Sequence, residues 1–148
     1  MQETKAIEEQ GTIRIALISH DSKKELMLQF CIAYSSVLRN HRLFSTMFTS
    51  KMLNVKVKLK VQSFLSSLGG GVQQIAARVA CNEIDLLIYF RDPNERTSSE
   101  STEQELFRLC DVYSIPYATN IATAEVLIHG LKRGDFAWRS LLRAGKGL

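Results

Sequence analysis

Hydrophobic positions along the chain fall into two kinds of segment, short apolar runs and longer stretches with helical spacing. The runs are typical of strands buried on both faces, and the spaced stretches are typical of amphipathic helices. They predict strands at 12–19, 42–46, 55–65, 84–90 and 117–119, and helices at 22–40, 72–81, 102–113 and 122–131. Buried strands separated by helices indicate an α/β protein with three layers, in which helices cover both faces of a doubly wound, mainly parallel five-stranded sheet.

The two ends of the chain lack this pattern. Residues 1–11 are polar and are expected to form a flexible leader, whereas 138–148 form a basic tail that begins at Trp138. The intervening 12–137 are expected to form one domain, because 148 residues with 45% hydrophobic composition can build one sizeable core. Trp138 is interpreted as either a packing residue or a subunit anchor.

Charge and cysteine content narrow the class of protein. The net charge of +4 is spread along the chain, and the alternating lysines at 56–60 favour a solvated strand face over a nucleic-acid surface, since no aromatic-rich motif accompanies them. Cys31, Cys81 and Cys110 lack metal-like spacing and lie in apolar patterns, so they are predicted to be buried thiols in a reducing compartment. With no signal peptide or membrane-length apolar run, the expectation is a soluble, cytoplasmic protein without membrane contact.

Ligands of parallel α/β sheets bind beyond the carboxyl ends of the strands, which selects the loops at 19–24, 46–51, 66–72 and 91–102. The third of these contains Gly69-Gly70-Gly71 at the predicted start of a helix. Glycine amides at a helix start can approach an anion closely, so this loop is interpreted as a phosphate cradle. Lys23 and Lys24 in the first turn of another helix face the unfavourable end of its dipole, which makes more sense if an anion lies nearby.

Taken in order, the residues of these loops resemble the methylglyoxal synthase family. The likeness runs without a gap from about 13 to 134 and rests on five segments: Ser19–Lys24, Leu65–Ser66, Gly70–Gln74, Phe90–Pro93 and Ile115–Ala124. The resemblance implies the strand order 3-2-1-4-5 and a homohexamer. It also implies a carbon–oxygen lyase reaction, the elimination of phosphate from dihydroxyacetone phosphate through an enediolate, with no metal and no organic cofactor.

Site residues follow from the same resemblance, position by position. His20 and Asp92 stand at active-site positions of the family. The phosphate-binding candidates are a lysine, several hydroxyl residues and two glycines: Lys24, Thr46, Thr49, Ser50, Ser66, Ser67, Gly70 and Gly71. The implied ligand is phosphate or a small phosphorylated metabolite similar to dihydroxyacetone phosphate.

The match is incomplete where protons must be moved. The family's aspartate base is Val72 here, a family histidine is Ser99, and a nearby aspartate is Thr102. The family's Thr-Gly-Thr-Thr-Gly loop is Thr46-Met47-Phe48-Thr49-Ser50, and its Ser-Gly-Pro is Ser66-Ser67-Leu68. Because a general base contributes roughly two to four orders of magnitude to such reactions, these changes predict phosphate contacts with little turnover.

Three functions are compatible with this pattern. The favoured hypothesis is a binding or regulatory module on the methylglyoxal synthase scaffold. The alternative is an active methylglyoxal synthase in which Glu95 or Glu100 replaces the missing carboxylate. A third interpretation is an assembly subunit whose crevice is closed by Met47, Phe48 and Val72.

Simpler structural roles stay open for several candidates. His20 and Asp21 can cap the following helix, and Asp92 can start a turn. The glycines at 69–71 can serve helix packing instead of ligand contact. Two further histidines lie outside the crevice loops and are expected to be surface or core residues: His41 and His129.

Overall fold

The computed structural model describes residues 12–95 and 100–139, so the leader at 1–11 and most of the tail lie outside the described residues. The strands are β1 (Arg14–Ser19), β2 (Arg42–Ser45), β3 (Val61–Ser63), β4 (Leu86–Phe90) and β5 (Tyr117–Ala118). The helices are α1 (Lys24–Ala33), α2 (Ser35–Leu38), α3 (Met47–Lys56), α4 (Gly71–Ala80), α5 (Glu100–Val112) and α6 (Ile121–Arg133), with a 3-10 turn at Asp21–Lys23. Among the described residues, no helix is long and apolar enough to cross a bilayer.

The five strands form one parallel sheet in the order β3-β2-β1-β4-β5, which confirms the expected fold class and strand order. β1 lies in the centre, and its side chains alternate between two apolar cores. Ile15 and Leu17 belong to the core that α1, α3 and α6 cover, while Ala16 and Ile18 belong to the core under α4 and α5. A continuous apolar strand is therefore what burial on both faces requires.

The predicted third strand at 55–65 is wrong for its first half. The chain forms α3 before it, and only Val61–Ser63 pairs with β2. The alternation at 56–60 arises because the helix ends at Lys56 and the following turn buries Val57 and Leu59, while Lys58 adopts a left-handed φ of 58°. The expected crevice loop at 46–51 is consequently the first turn of a helix.

Two other expectations need correction. The helix predicted at 22–40 is interrupted at Tyr34, whose hydroxyl donates to Glu125 of α6 and whose backbone leaves the helical region.

The prediction of buried thiols holds for two of the three cysteines. Cys31 and Cys110 are buried, and burial raises the pKa of each thiol to about 12. Cys81 is exposed instead, because it lies just past the end of α4, where the chain turns.

A buried ion pair holds the amino-terminal edge of the sheet. The Arg139 guanidinium donates to Asp85 Oδ1 at 3.2 Å, to the Ser114 carbonyl at 2.8 Å and to Asn82 Oδ1 at 3.0 Å. Asp85 directly precedes β4, so the pair ties the segment after α6 to the start of the sheet. Trp138 lies beside the Arg139 guanidinium and is only partly covered.

The glycine-rich segment after β3 is packed against its own backbone. The amide of Gly71 donates to the Ser66 carbonyl at 2.8 Å, and a Cβ at Gly71 would lie 2.0 Å from the Leu65 carbonyl oxygen. Gly70 has a φ of 105°, where side chains cause strain. Gly71 is therefore required by close backbone packing, whereas Gly70 is required by its left-handed backbone conformation.

We expect Gly71→Ala to lower the free energy of unfolding by about 2–4 kcal/mol, because backbone rather than a flexible side chain blocks the new methyl group. Gly130→Ala in α6 is the matched control. Its methyl group would meet side-chain atoms alone, the nearest being Asp135 Oδ2 at 3.3 Å, so the change should stay within about 1 kcal/mol. Urea unfolding followed by circular dichroism measures both, and equal effects would contradict the packing role of Gly71.

Candidate functional site

The carboxyl ends of the strands bring the candidate residues to one edge of the sheet. β1 is followed by His20, β2 by Thr46 and β4 by Arg91. The His20 amide donates to the Phe90 carbonyl at 3.0 Å, which joins the ends of the two central strands. Because all strands run in parallel, this edge is where a ligand crevice is expected.

The first turn of α3 carries buried hydroxyl groups. Thr49 and Ser50 are each 1% exposed, and neither hydroxyl has a hydrogen-bond partner within the described residues. The hydroxyl of Ser19, at the end of β1, is also unpartnered there. Buried polar groups are nearly always satisfied, so these three hydroxyls are candidate donors to an anion. The Met47 and Ser50 amides of the turn already donate to the carbonyls of Leu65 and Thr46.

Lys24 lies next to this turn. It is the first residue of α1, and its Nζ is 5.9 Å from the ring centroid of Phe48 in α3. The Nζ also contacts Asp21 Oδ1 at 2.6 Å. Asp21 makes this ion pair from the exposed 3-10 turn, so the expectation that it or His20 caps the helix through its side chain is wrong.

The segment after β3 meets the same turn from the other side. The Met47 amide donates to the Leu65 carbonyl at 3.3 Å, which places Ser66 and the following glycines beside the start of α3. Ser66 Oγ accepts a hydrogen bond from the Gly69 amide at 3.1 Å. Ser67 is exposed and takes no part in these contacts. We call Lys24, the first turn of α3 and Ser66–Gly71 the anion half of the site.

His20 and Asp92 are also brought together, and both are held by neighbours. His20 is 8% exposed, and its Nδ1 accepts the Asp92 amide at 3.0 Å. The Asp92 carboxylate accepts the Asn94 amide at 2.9 Å and the Ser22 hydroxyl at 2.9 Å, and these bonds lower the pKa of Asp92. The turn role of Asp92 is thus present in the structure, beside the candidate site role.

A buried carboxylate that the sequence analysis did not single out completes this side of the site. Glu103 of α5 is 1% exposed and forms a close contact with His20 Nε2. It accepts the Tyr89 hydroxyl at 2.9 Å, and its Oε2 lies 3.4 Å from Arg91 Nε. Burial, followed by the nearby Glu103 charge, raises the pKa of Tyr89. We call His20, Asp92, Glu103, Tyr89 and Arg91 the proton-carrying half of the candidate site, because their side chains are the titratable groups that meet here.

The sequence of α5 contains a feature from which a buried role of Glu103 could have been predicted. Glu103, Leu106 and Cys110 recur at helical spacing and are all buried. A carboxylate in an apolar stripe is rare unless it is paired, so its presence there points to a buried partner on the sheet.

Of the two carboxylates considered as replacements for the missing base, Glu95 lies beside His20. Glu95 Oε2 lies 3.8 Å from His20 Nδ1 and 3.3 Å from the Ser22 hydroxyl, so it adjoins the proton-carrying half. The side chain of Glu100 and the whole of Ser99 lie outside the described part of the chain. Across the described ranges, no cluster of three or more histidine, cysteine or carboxylate side chains is arranged to hold a metal ion.

The residues expected to close the crevice differ in their exposure. Val72 is 2% exposed and packs in the core with Ile75, whereas Phe48 is 59% exposed. Met47 is half-buried, and the Phe48 ring lies beside Lys24, so closure of the crevice by these three residues stays an interpretation. Val72 leaves a hydrocarbon where the resemblance expects an aspartate.

The remaining histidines lie away from the crevice, as expected. His41 Nδ1 accepts the Ile13 amide at 3.1 Å near the amino end of β1, and burial lowers the pKa of His41. His129 is on the exposed face of α6, 3.8 Å from the Glu125 carboxylate. Both histidines therefore have interaction partners outside the crevice.

Known proteins share this arrangement of sheet and loops. The family model of the MGS-like domain matches residues 26–119. Methylglyoxal synthase of Geobacillus sp. strain WCH70 is 49% identical over 135 residues, covering 91% of this chain and 96% of the relative. The enzyme of Bacillus subtilis strain 168, also named methylglyoxal synthase, is 47% identical over 131 residues, covering 88% and 96%.

A solved structure agrees with these matches. The crystal structure of methylglyoxal synthase from Elizabethkingia anophelis NUHP1 superposes with a TM-score of 0.75 at 31% identity, covering 80% of this chain and 78% of the other. Sequence and fold agree, and the chain belongs to the methylglyoxal synthase-like family.

Proposed function

We propose that the protein binds a small phosphorylated metabolite in the anion half of the site and turns it over slowly, as a binding or regulatory member of its family. The observation that carries this proposal is the pair of buried hydroxyls of Thr49 and Ser50 in the first turn of α3, which have no hydrogen-bond partner among the residues that the structure describes. Lys24 adds a positive charge beside that turn. Hydroxyls, amides and a lysine are the groups that phosphate oxygens accept hydrogen bonds from.

Slow turnover follows from the proton-carrying half. Removing a carbon-bound proton requires a base, and Val72 offers none where the resemblance expects an aspartate. Asp92 is engaged by Asn94 and Ser22, and both ring nitrogens of His20 have partners within the chain. Binding an anion and moving a proton are separate tasks, so the first can persist without the second.

An active methylglyoxal synthase is the second candidate, and one contact favours it. The Glu95 carboxylate lies 3.8 Å from His20 Nδ1, close enough for a small movement to present a base to a substrate. The curated relatives are named for that activity. In this case dihydroxyacetone phosphate would be the substrate, and methylglyoxal and phosphate the products.

The binding proposal predicts that inorganic phosphate and dihydroxyacetone phosphate raise the melting temperature with increasing concentration. A ligand at about a hundred times its Kd adds about 2.7 kcal/mol of stability, which differential scanning fluorimetry detects. Thr49→Val should remove most of the rise but leave the unliganded protein at least as stable, because a methyl group replaces an unsatisfied hydroxyl.

Lys24→Ala should likewise remove most of the rise. Lys56→Ala is its charge-matched control, because Lys56 lies in the last turn of the same helix whose first turn carries the hydroxyls. Equal shifts in the wild type, Thr49→Val and Lys24→Ala proteins, or no shift at millimolar ligand, would contradict an anion site at this place.

For turnover, we expect the protein to convert dihydroxyacetone phosphate about a thousandfold more slowly than a relative with the full motif, because base catalysis is missing. A coupled assay for phosphate release measures the difference. Val72→Asp combined with Ser99→His should restore part of the rate. A wild-type rate within about tenfold of the relative would support the second candidate instead.

We further propose that the chain assembles with copies of itself, as the family resemblance implies, in a hexamer. Large apolar side chains lie uncovered on the single chain, with exposed fractions of 93% for Leu68, 75% for Val55 and 68% for Val126. Burying them at subunit contacts would remove this apolar surface from water. Light scattering at micromolar concentration should give a mass several times 16.7 kDa, and a monomeric mass would refute the assembly.

The cytoplasm is the compartment we propose for it. Cys81 is exposed and unpaired, and Cys31 and Cys110 are free thiols in the core. Free thiols of both kinds suit a reducing environment.

A further inference from the structure

The strongest feature that the proposed function leaves unused is the buried contact between Glu103 and His20. We propose that Glu103 is a positioning residue that holds the His20 imidazole inside the protein, so that its ring N–H is withheld from any ligand in the crevice. This inference rests on the proposed function, for which it supplies a second cause of slow turnover, independent of Val72.

Hydrogen-bond geometry assigns the proton on the ring. A backbone amide can only donate, so the Asp92 amide at 3.0 Å makes His20 Nδ1 an acceptor. The single proton of a neutral imidazole is then on Nε2, where Glu103 accepts it. Both nitrogens are thereby used within the chain, and the side chain of His20 is only 6% exposed.

The carboxylate of Glu103 is itself held in place. The Tyr89 hydroxyl donates to Oε1 at 2.9 Å, and Arg91 Nε lies 3.4 Å from Oε2, so each oxygen has a neighbouring N–H or O–H group. The Tyr89 ring packs edge-on against His20 with ring centroids 5.8 Å apart. A buried charge paired in this way is costly to move, which makes the position of His20 rigid.

Other charged groups near the ring do not compete with Glu103 for the Nε2 proton. Glu95 and Asp92 approach from the Nδ1 side, at 3.8 Å and through the backbone amide respectively. Glu103 alone among the described residues contacts Nε2. An enediolate oxygen would need that same N–H, so Glu103 acts as an internal acceptor in its place.

Activity in a background with restored proton carriers tests the proposal. The starting variant carries Val72→Asp and Ser99→His, and Glu103→Val or Glu103→Gln is added to it. Releasing His20 should raise the rate of phosphate release from dihydroxyacetone phosphate about tenfold or more, since one hydrogen-bond donor to a developing oxyanion is worth about 10²–10³ in kcat. Glu103→Gln has the same size and serves if the valine variant does not fold; its neutral amide oxygen still accepts the Nε2 proton, but more weakly, so its rate should rise less than that of Glu103→Val. Glu105→Gln, on the same helix but in an exposed ion pair with Arg108, is the control and should change nothing.

Proton NMR of the ring N–H gives a readout that a purely structural role would not produce. The wild type should show a slowly exchanging, strongly downfield signal from His20, absent in His20→Asn. Glu103→Gln should move it upfield, and Glu103→Val should abolish it, whereas Glu105→Gln should leave it in place.

The outcomes separate this inference from the proposed function. If neither Glu103 variant turns over faster than the starting variant, or if the ring N–H signal is insensitive to Glu103, the inference is overturned. Rapid turnover by the wild type would overturn only the proposed function, since the NMR signal and the effect of Glu103→Gln can be measured in an active enzyme as well.

Discussion

Parallel pairing of β1 with β2 on one side and β4 on the other is the constraint on which the rest of the structure depends. A strand in that position is covered by helices on both faces, so its side chains must be apolar throughout, as Ile15 to Ile18 are. Parallel strands also end at the same edge of the sheet. His20, Thr46 and Arg91 are neighbours for this reason, although they are far apart in sequence.

The two halves of the candidate site differ in how far they depend on backbone geometry and on side-chain identity. The anion half consists of a helix start, hydroxyl groups and one lysine, and the helix start depends on the course of the chain more than on particular side chains. The proton-carrying half depends on side-chain identity. Val72 stands where the resemblance implies an aspartate, and this one difference is enough to remove a base. α3 still begins at Met47, although the resemblance implies a glycine and a threonine at Met47 and Phe48.

Much of the fold could be predicted from the sequence, because the apolar runs of β1 and β4 and the helical spacing of α4 to α6 are unambiguous. α3 could not, since apolar and polar residues at 55–60 alternate in the helix end and the turn just as they would in a strand. Of the site, the resemblance located His20, Lys24 and Asp92. It did not reveal that His20 is enclosed, because the enclosing group, Glu103, lies on a helix and 83 residues away.

The ion pair between Arg139 and Asp85 lies at the amino-terminal edge of the sheet, opposite the crevice. The stabilising ion pair and the candidate site thus lie at opposite edges of the sheet. Substitutions in the crevice therefore leave the Arg139–Asp85 ion pair, and its contribution to the folded sheet, in place. This separation allows the residues of the crevice to change while the fold stays the same.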